Sequence, residues 1–188
     1  RTELGERVEL YADANRGWDA DTAILASRRL AEHGVTMLEE PNPAADVLGR
    51  RRVVAASPIP VVGDESTITL GGVARSLLDG DAEAISVKVA RTGFTDSAKI
   101  VGLCEGLGVT AVVGNQIDGM LGSVASVALA CGLHALARHP VEATNHLLMA
   151  DDVLADPPVI VDGRLAARQE PGLGARIDPD KLAHYRLA

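Results

Sequence analysis

The chain has 188 residues, a one-domain length with enough material for a substantial core. Apolar residues make up 47% and charged residues 23%, ordinary for a soluble globular protein, and aromatics are scarce at 2%, so the core has to be aliphatic. A net charge of -8, with no stretch that interleaves Arg or Lys with aromatics, argues against a nucleic-acid partner.

In chain order, short runs rich in Val, Ile and Met alternate with helical patterns. "VELYADAN" precedes "WDADTAILASRRLAEHG", whose apolar residues recur at helical spacing and which stops on Gly34. "TMLEEP" precedes "AADVLGRRRVVAAS", "PVVGDES" precedes "LGGVARSLLDG", and "AISVKVA" precedes "TDSAKIVGLCEGLG". "TAVVGNQ" leads into an uncharged stretch at 119 to 137, and "VEATN" is a sixth strand with no clear helix after it. The uncharged stretch is diluted by Gly, Ser and His134, which suits a helix packed on a sheet and not a membrane span. The segment from 151 on is a Pro/Gly-rich tail with one or two short strands, opening on Asp151 and Asp152 in a solvated loop. The sequence thus divides into a β/α region at 1–150 and a tail at 151–188 that packs back on it or on a capping domain. Cys104 and Cys131 form no CxxC or Cys/His cluster, and read as inert buried thiols of a reduced, cytoplasmic protein.

Strand-helix alternation implies parallel pairing, because a parallel connection needs a crossover of about a dozen residues. Asp13, Glu39, Asp64 and Lys88 stand 26, 25 and 24 residues apart, one per strand-helix unit and each at a strand's C-terminal end. In a β/α barrel those ends share one rim, where such barrels carry their chemistry. Adjacent strand residues point to opposite sides, so one of Glu39 and Glu40 faces the mouth and the other turns toward helices or loops. The same holds for Asp64 and Glu65. Three carboxylates in one mouth repel each other and call for a cation, and oxygen-only ligands favour Mg²⁺ over zinc. The alternative is that the acids cap the helices that follow them.

"DANRGW", "LEEP", "GDES", "SVKVARTGF" and "PGLGARIDPDKLAHYR" together resemble the barrel domain of the enolase superfamily, and within it the muconate lactonizing enzyme (muconate cycloisomerase) subgroup. The resemblance runs from about Val8 to the end. It implies an α/β fold, a (β/α)8-type (TIM-like) barrel, here with about six βα units. It implies that Asp13, Glu39 and Asp64 bind Mg²⁺ (or Mn²⁺), with Glu40 supporting them. Lys88 matches the catalytic lysine, and Glu65 an acid that sits near it. The implied reaction is muconate cycloisomerization in aromatic catabolism: a metal-stabilised enolate forms as cis,cis-muconate closes to muconolactone, and a lysine protonates it. The implied partners are a small carboxylate substrate and further copies of the chain, with no nucleic acid and no membrane.

There are departures from the family pattern. The family's first two barrel strands, its Lys-x-Lys motif and its N-terminal capping domain have no counterpart in this sequence, so the chain is expected to be a fragment that needs them for turnover. Where the subgroup has a glutamate in a "MLES"-like run, this chain has "GNQIDGMLGS" and Asp118, a site acid or a helix cap. Asn15, which shares Asp13's side of the strand, and Asn115, Gln116, Glu142 and Asn145 are candidates for substrate contact or for ordinary loop hydrogen bonds. Other readings are an N-succinylamino-acid racemase, an o-succinylbenzoate synthase, a dipeptide epimerase, or an inactive barrel remnant. His139, His146 and His184 form no ligand spacing with one another or with the acids; His33 reads as meeting the last carbonyls at a helix end, His134 as packed within the uncharged helix and Trp18 as an anchor for the first helix.

Overall fold

Five short runs form strands: β1 (Leu10–Asp13), β2 (Val35–Glu39), β3 (Val61–Gly63), β4 (Ala84–Val87) and β5 (Thr110–Val113). The computed structural model describes residues 1–187. The strands stand in chain order in one sheet, and β1–β2, β2–β3 and β3–β4 are parallel, as the alternation requires. Between them run α1 (Ala20–Glu32), α2 (Val47–Ala56), α3 (Leu70–Asp79) and α4 (Val89–Leu107). The chain divides into two units, Arg1–Ser86 with Leu103–Ala111, and Val87–Gly102 with Val112–Ala188.

In the first unit each helix starts on a side chain that satisfies a free backbone N–H. Asp19 accepts from Thr22 at 2.7 Å, Asp46 from Gly49 at 2.9 Å and Thr69 from Gly72 at 3.0 Å. Such caps are worth about 1 kcal/mol each. Ala20 and Ala23 of α1 pack with Val53 of α2 and Val61 of β3, and Trp18 closes over them at the start of α1, as expected. Leu38, Val62 and Val73 are likewise fully buried. Side chains of this size contribute about 1.5–3 kcal/mol each on burial. This aliphatic packing fixes the strand ends that carry the acids.

In the second unit the uncharged stretch yields α5 (Met120–Gly132), and among the described residues no helix is long and apolar enough to cross a membrane. "VEATN" departs from the expected sixth strand. It pairs through a single parallel bridge, Val113 to Val141, with the Glu142 N–H on the Val113 carbonyl at 3.0 Å. A 3-10 turn, Asn145–Leu148, follows where the helix pattern was indistinct. The tail forms a small hairpin, β6 (Ile160–Val161) and β7 (Arg164–Leu165), then α6 (Pro179–His184).

Three local expectations are corrected here. Asp152 is buried, not solvated, and its Oδ2 accepts the Met120 N–H at 2.7 Å, capping α5 from 32 residues away. His134 lies beyond the end of α5 in an exposed turn. Cys131 is exposed; of the two free thiols only Cys104 is buried, and burial pushes it up to about 11.

Candidate active site

The first unit brings the acids to neighbouring strand ends. Asp13 closes β1 and is the direct register partner of Glu39, which closes β2. Glu39 in turn is level with Val62 of β3, and Asp64 stands one residue past that strand. Parallel neighbours lie about 4.8 Å apart, so the three residues occupy successive positions along one edge. Glu39 and Asp64 are each 2% exposed, whereas Asp13 is open to solvent.

The loops after β1 and β2 are stitched together. Ala14, Arg16 and Trp18 donate their N–H groups to the carbonyls of Glu39, Glu40 and Pro41 at 3.1, 2.7 and 3.1 Å. The loop turns through Asn15 and Arg16, with φ of 46° and 62°, a left-handed conformation that Asn tolerates better than Arg. Asn15 donates to both oxygens of Asp13, from its backbone N–H and from its side chain, each at 2.8 Å. The Tyr11 hydroxyl donates to Glu39 Oε2. Arg16 reaches Glu65 at 3.5 Å, so the acid after Asp64 sits beside a cation on the first loop.

Glu40 takes the opposite direction to Glu39. It is fully buried and pairs with Arg50 of α2 at 2.9 Å, while also accepting from Asp64 and Ser66. Burial raises its pKa above the ordinary carboxylate value, and the nearby Arg50 guanidinium and the donated hydrogen bonds oppose that rise.

As a donor set, Asp13, Glu39 and Asp64 suit a hard divalent cation: all oxygen, all carboxylate, on adjacent strand ends. Among the described residues no three His, Cys, Asp or Glu side chains are gathered closely enough to enclose an ion. Asp13 accepts from Asn15 and Glu39 from Tyr11. The backbone sets the three carboxylates on successive strand ends, which fits the group.

The second unit carries the remaining candidates. Lys88 follows β4 directly and is 9% exposed. Its carbonyl accepts from the Arg91 and Thr92 N–H groups at 2.9 and 3.2 Å and from the Thr92 hydroxyl at 3.1 Å, which fixes the lysine's backbone at the start of α4. Asn115 is a hub. Its N–H donates to Glu142 Oε2 at 3.2 Å, and its Oδ1 accepts from the Asp118 N–H at 2.8 Å and from Asn145 Nδ2 at 2.7 Å. Gln116 is exposed and gives its N–H to Asp118 Oδ2 at 3.2 Å. Asn115, Gln116, Asp118, Glu142 and Asn145 are therefore one connected cluster, and Asp118 is not the cap of α5. A hollow of about 850 Å³ in this unit, lined by Val127, Leu133, Val141 and Leu165 among others, includes none of these five residues.

Residues 1–181 match the family described as "Enolase C-terminal domain-like". The chain belongs to that family. Its parallel sheet and helices are part of the enolase-type β/α barrel, as the motifs implied. Muconate cycloisomerase 1 of Pseudomonas putida is 27% identical over 98% of this chain and 49% of its own length. L-Ala-D/L-Glu epimerase of Bacillus subtilis (strain 168) is 29% identical over 93% of this chain and 48% of its own. A crystal structure of the M. smegmatis muconate lactonizing enzyme complexed with muconolactone is 47% identical, with a TM-score of 0.97 over 100% of this chain and 51% of that one. Muconate cycloisomerase from Pseudomonas fluorescens matches with a TM-score of 0.91 at 30% identity, over 98% and 51%. This enolase-family chain thus spans about half the length of the relatives it matches.

Sequence reasoning missed Arg50 as the partner of Glu40, Asp81 as a further partner of Arg50, and Ser123, whose hydroxyl meets the buried His146 ring at 2.9 Å. Arg50 precedes buried Val53 by three residues on α2, so helical spacing marks its face as inward.

Proposed function

We propose that this chain carries the acid and lysine groups of a muconate cycloisomerase, an isomerase (intramolecular lyase) that closes cis,cis-muconate to muconolactone. The observation that carries the reading is the 47% identity, over the whole of this chain, with a muconate lactonizing enzyme seen with muconolactone. The ordered acids of β1, β2 and the turn after β3 support it.

In this reading Asp13, Glu39 and Asp64 hold Mg²⁺ or Mn²⁺. When bound, that cation supplies positive charge to a substrate carboxylate as it gains electron density. One muconate carboxylate oxygen forms a C–O bond to an alkene carbon of the same molecule. The displaced electron pair moves toward the other carboxylate, and the carbon beside that carboxylate takes a proton. Lys88 delivers this proton from Nζ and regains it from solvent. Glu65, beside Arg16, and Asp118 are the assisting acids. Asn15, Asn115, Gln116, Glu142 and Asn145 contact and orient the substrate. A cytoplasmic homo-oligomer is part of the same proposal.

A second reading has its own support: the epimerase relative is as similar in sequence as the cycloisomerases from Pseudomonas. Both readings use Lys88 to move a proton beside a carboxylate, and they differ in product. The test supplies the whole protein with Mg²⁺ and offers cis,cis-muconate and, separately, L-Ala-L-Glu in D₂O. Muconate loss with one deuteron fixed in the lactone supports the first reading. Epimerisation of the dipeptide without muconate loss supports the second. Lys88→Ala should lower turnover by about 10²–10⁴-fold while cation binding persists, and near-parental turnover would remove Lys88 from the mechanism.

A further inference from the structure

Glu40 and Arg50 are both fully buried charges, and the chemistry above uses neither. Ion pairs taken wholly out of water often gain no more than they lose in hydration, so stability alone is a weak reason for this one. Its contacts point elsewhere. Glu40 Oε2 accepts the Asp64 N–H at 2.7 Å and the Ser66 hydroxyl at 2.9 Å; Oε1 accepts the Ser66 N–H at 3.2 Å and Arg50 Nη1 at 2.9 Å. Three of these four bonds hold residues 64 and 66, on both sides of the peptide units that carry the Asp64 and Glu65 side chains. Arg50 is anchored in turn. Nη1 also donates to the Asn42 carbonyl at 3.3 Å and Nη2 to the Asp81 carbonyl at 3.1 Å, with Nε 4.0 Å from the buried Asp81 carboxylate. Glu40 itself, one residue past the end of β2, has φ of 33°.

We propose that Glu40, neutralised and fixed by Arg50, is a positioning residue: it locks the turn at 64–66 to the end of β2, so that Asp64 and Glu39 keep a set spacing. This rests on the reading of Asp13, Glu39 and Asp64 as cation ligands. Carboxylate ligands need outer hydrogen bonds to hold their orientation, and losing such support commonly costs about 10–100-fold in metal affinity. Here the support acts through the backbone. A carboxylate receives N–H groups from two residues that a glutamine, with one oxygen and one NH₂, cannot receive equally.

The test uses the whole protein with Mn²⁺ as the probe, titrated by electron paramagnetic resonance, and amide hydrogen exchange measured without the metal. Glu40→Gln leaves Arg50 buried and unpaired and can lose stability for that reason alone. The pair Glu40→Gln with Arg50→Met removes both charges and separates the two effects. At matched denaturant stability, the double variant should exchange the Asp64 and Ser66 amides at least about tenfold faster and bind Mn²⁺ about 10–100-fold more weakly. Parental exchange at those amides, or Mn²⁺ affinity within about twofold of the parent, overturns the proposal, since the outer-support loss is larger than that. Asp64→Asn is the control for the cation reading. Parental Mn²⁺ affinity in that variant overturns the cation reading itself, while the two amides still decide whether Glu40 holds the turn.

Discussion

Glu39 and Glu40 are chemically alike and adjacent, yet one ends a strand beside Asp13 and the other is driven inward to a guanidinium. That divergence was legible, because strand side chains alternate. The partner was not. Arg50 opens a run of three arginines, of which Arg51 and Arg52 are exposed, and composition cannot say which one is buried. Asp151 and Asp152 show the same limit: both read as loop acids, but one caps α5 and the other ties down α6. The Lys181 ammonium at 2.7 Å, the Asp152 N–H at 2.8 Å and the Tyr185 hydroxyl at 3.1 Å together lower Asp151 to about 2. A carboxylate depressed on folding stabilises above its unfolded pKa, ~3.9 for Asp, and that contribution is lost as pH falls from there through about 2. Carboxyl carbon NMR should therefore place the Asp151 midpoint near 2 and show it rising in Lys181→Met. A parental midpoint at the ordinary value would contradict the contacts.

Elements were legible wherever pattern and cap agreed. Asp19, Asp46 and Thr69 each precede a helix in sequence and each accept its free N–H. The sixth strand was overread, because "VEATN" has β-branched residues but only Val141 finds a partner. The span of α4 is two helical pieces that meet in a kink at Gly93, whose φ of 61° and ψ of -179° interrupt the helical backbone. No atom lies within 4 Å of where a Cβ would be, so backbone conformation alone restricts the residue. Gly93→Ala should cost about 1–3 kcal/mol in urea unfolding, and an unchanged midpoint would show that the backbone relaxes freely there. Gly63, just before Asp64, is limited by space instead, since a Cβ would lie 2.7 Å from Thr67 Cγ2 and 3.2 Å from both Ala82 Cβ and Ser66 Oγ. The small residue there lets the 64–66 turn fold tightly under Glu40.

On the scale of the whole chain, a near-constant period carried the fold. Acids and a lysine recurring every 24 to 26 residues already imply one polar group per parallel strand end, and the sheet order and the family match agree with it. The substrate is less legible, because a cycloisomerase and an epimerase match this chain at similar identity. In the second unit the candidates for substrate contact are linked through Asn115 into a single cluster, so Asn115→Ala should disturb Glu142, Asp118 and Asn145 together. A rise in KM for muconate larger than the fall in kcat would mark that cluster as a binding group, whereas a fall confined to kcat would not.

The most direct measurement is turnover of cis,cis-muconate by the whole protein while the divalent cation is removed with a chelator and then restored as Mg²⁺. Lactone formation should disappear with the chelator, return with Mg²⁺, and not return in Asp64→Asn. Turnover that persists in the chelator, or no turnover by protein shown to bind Mg²⁺, would contradict the proposed function.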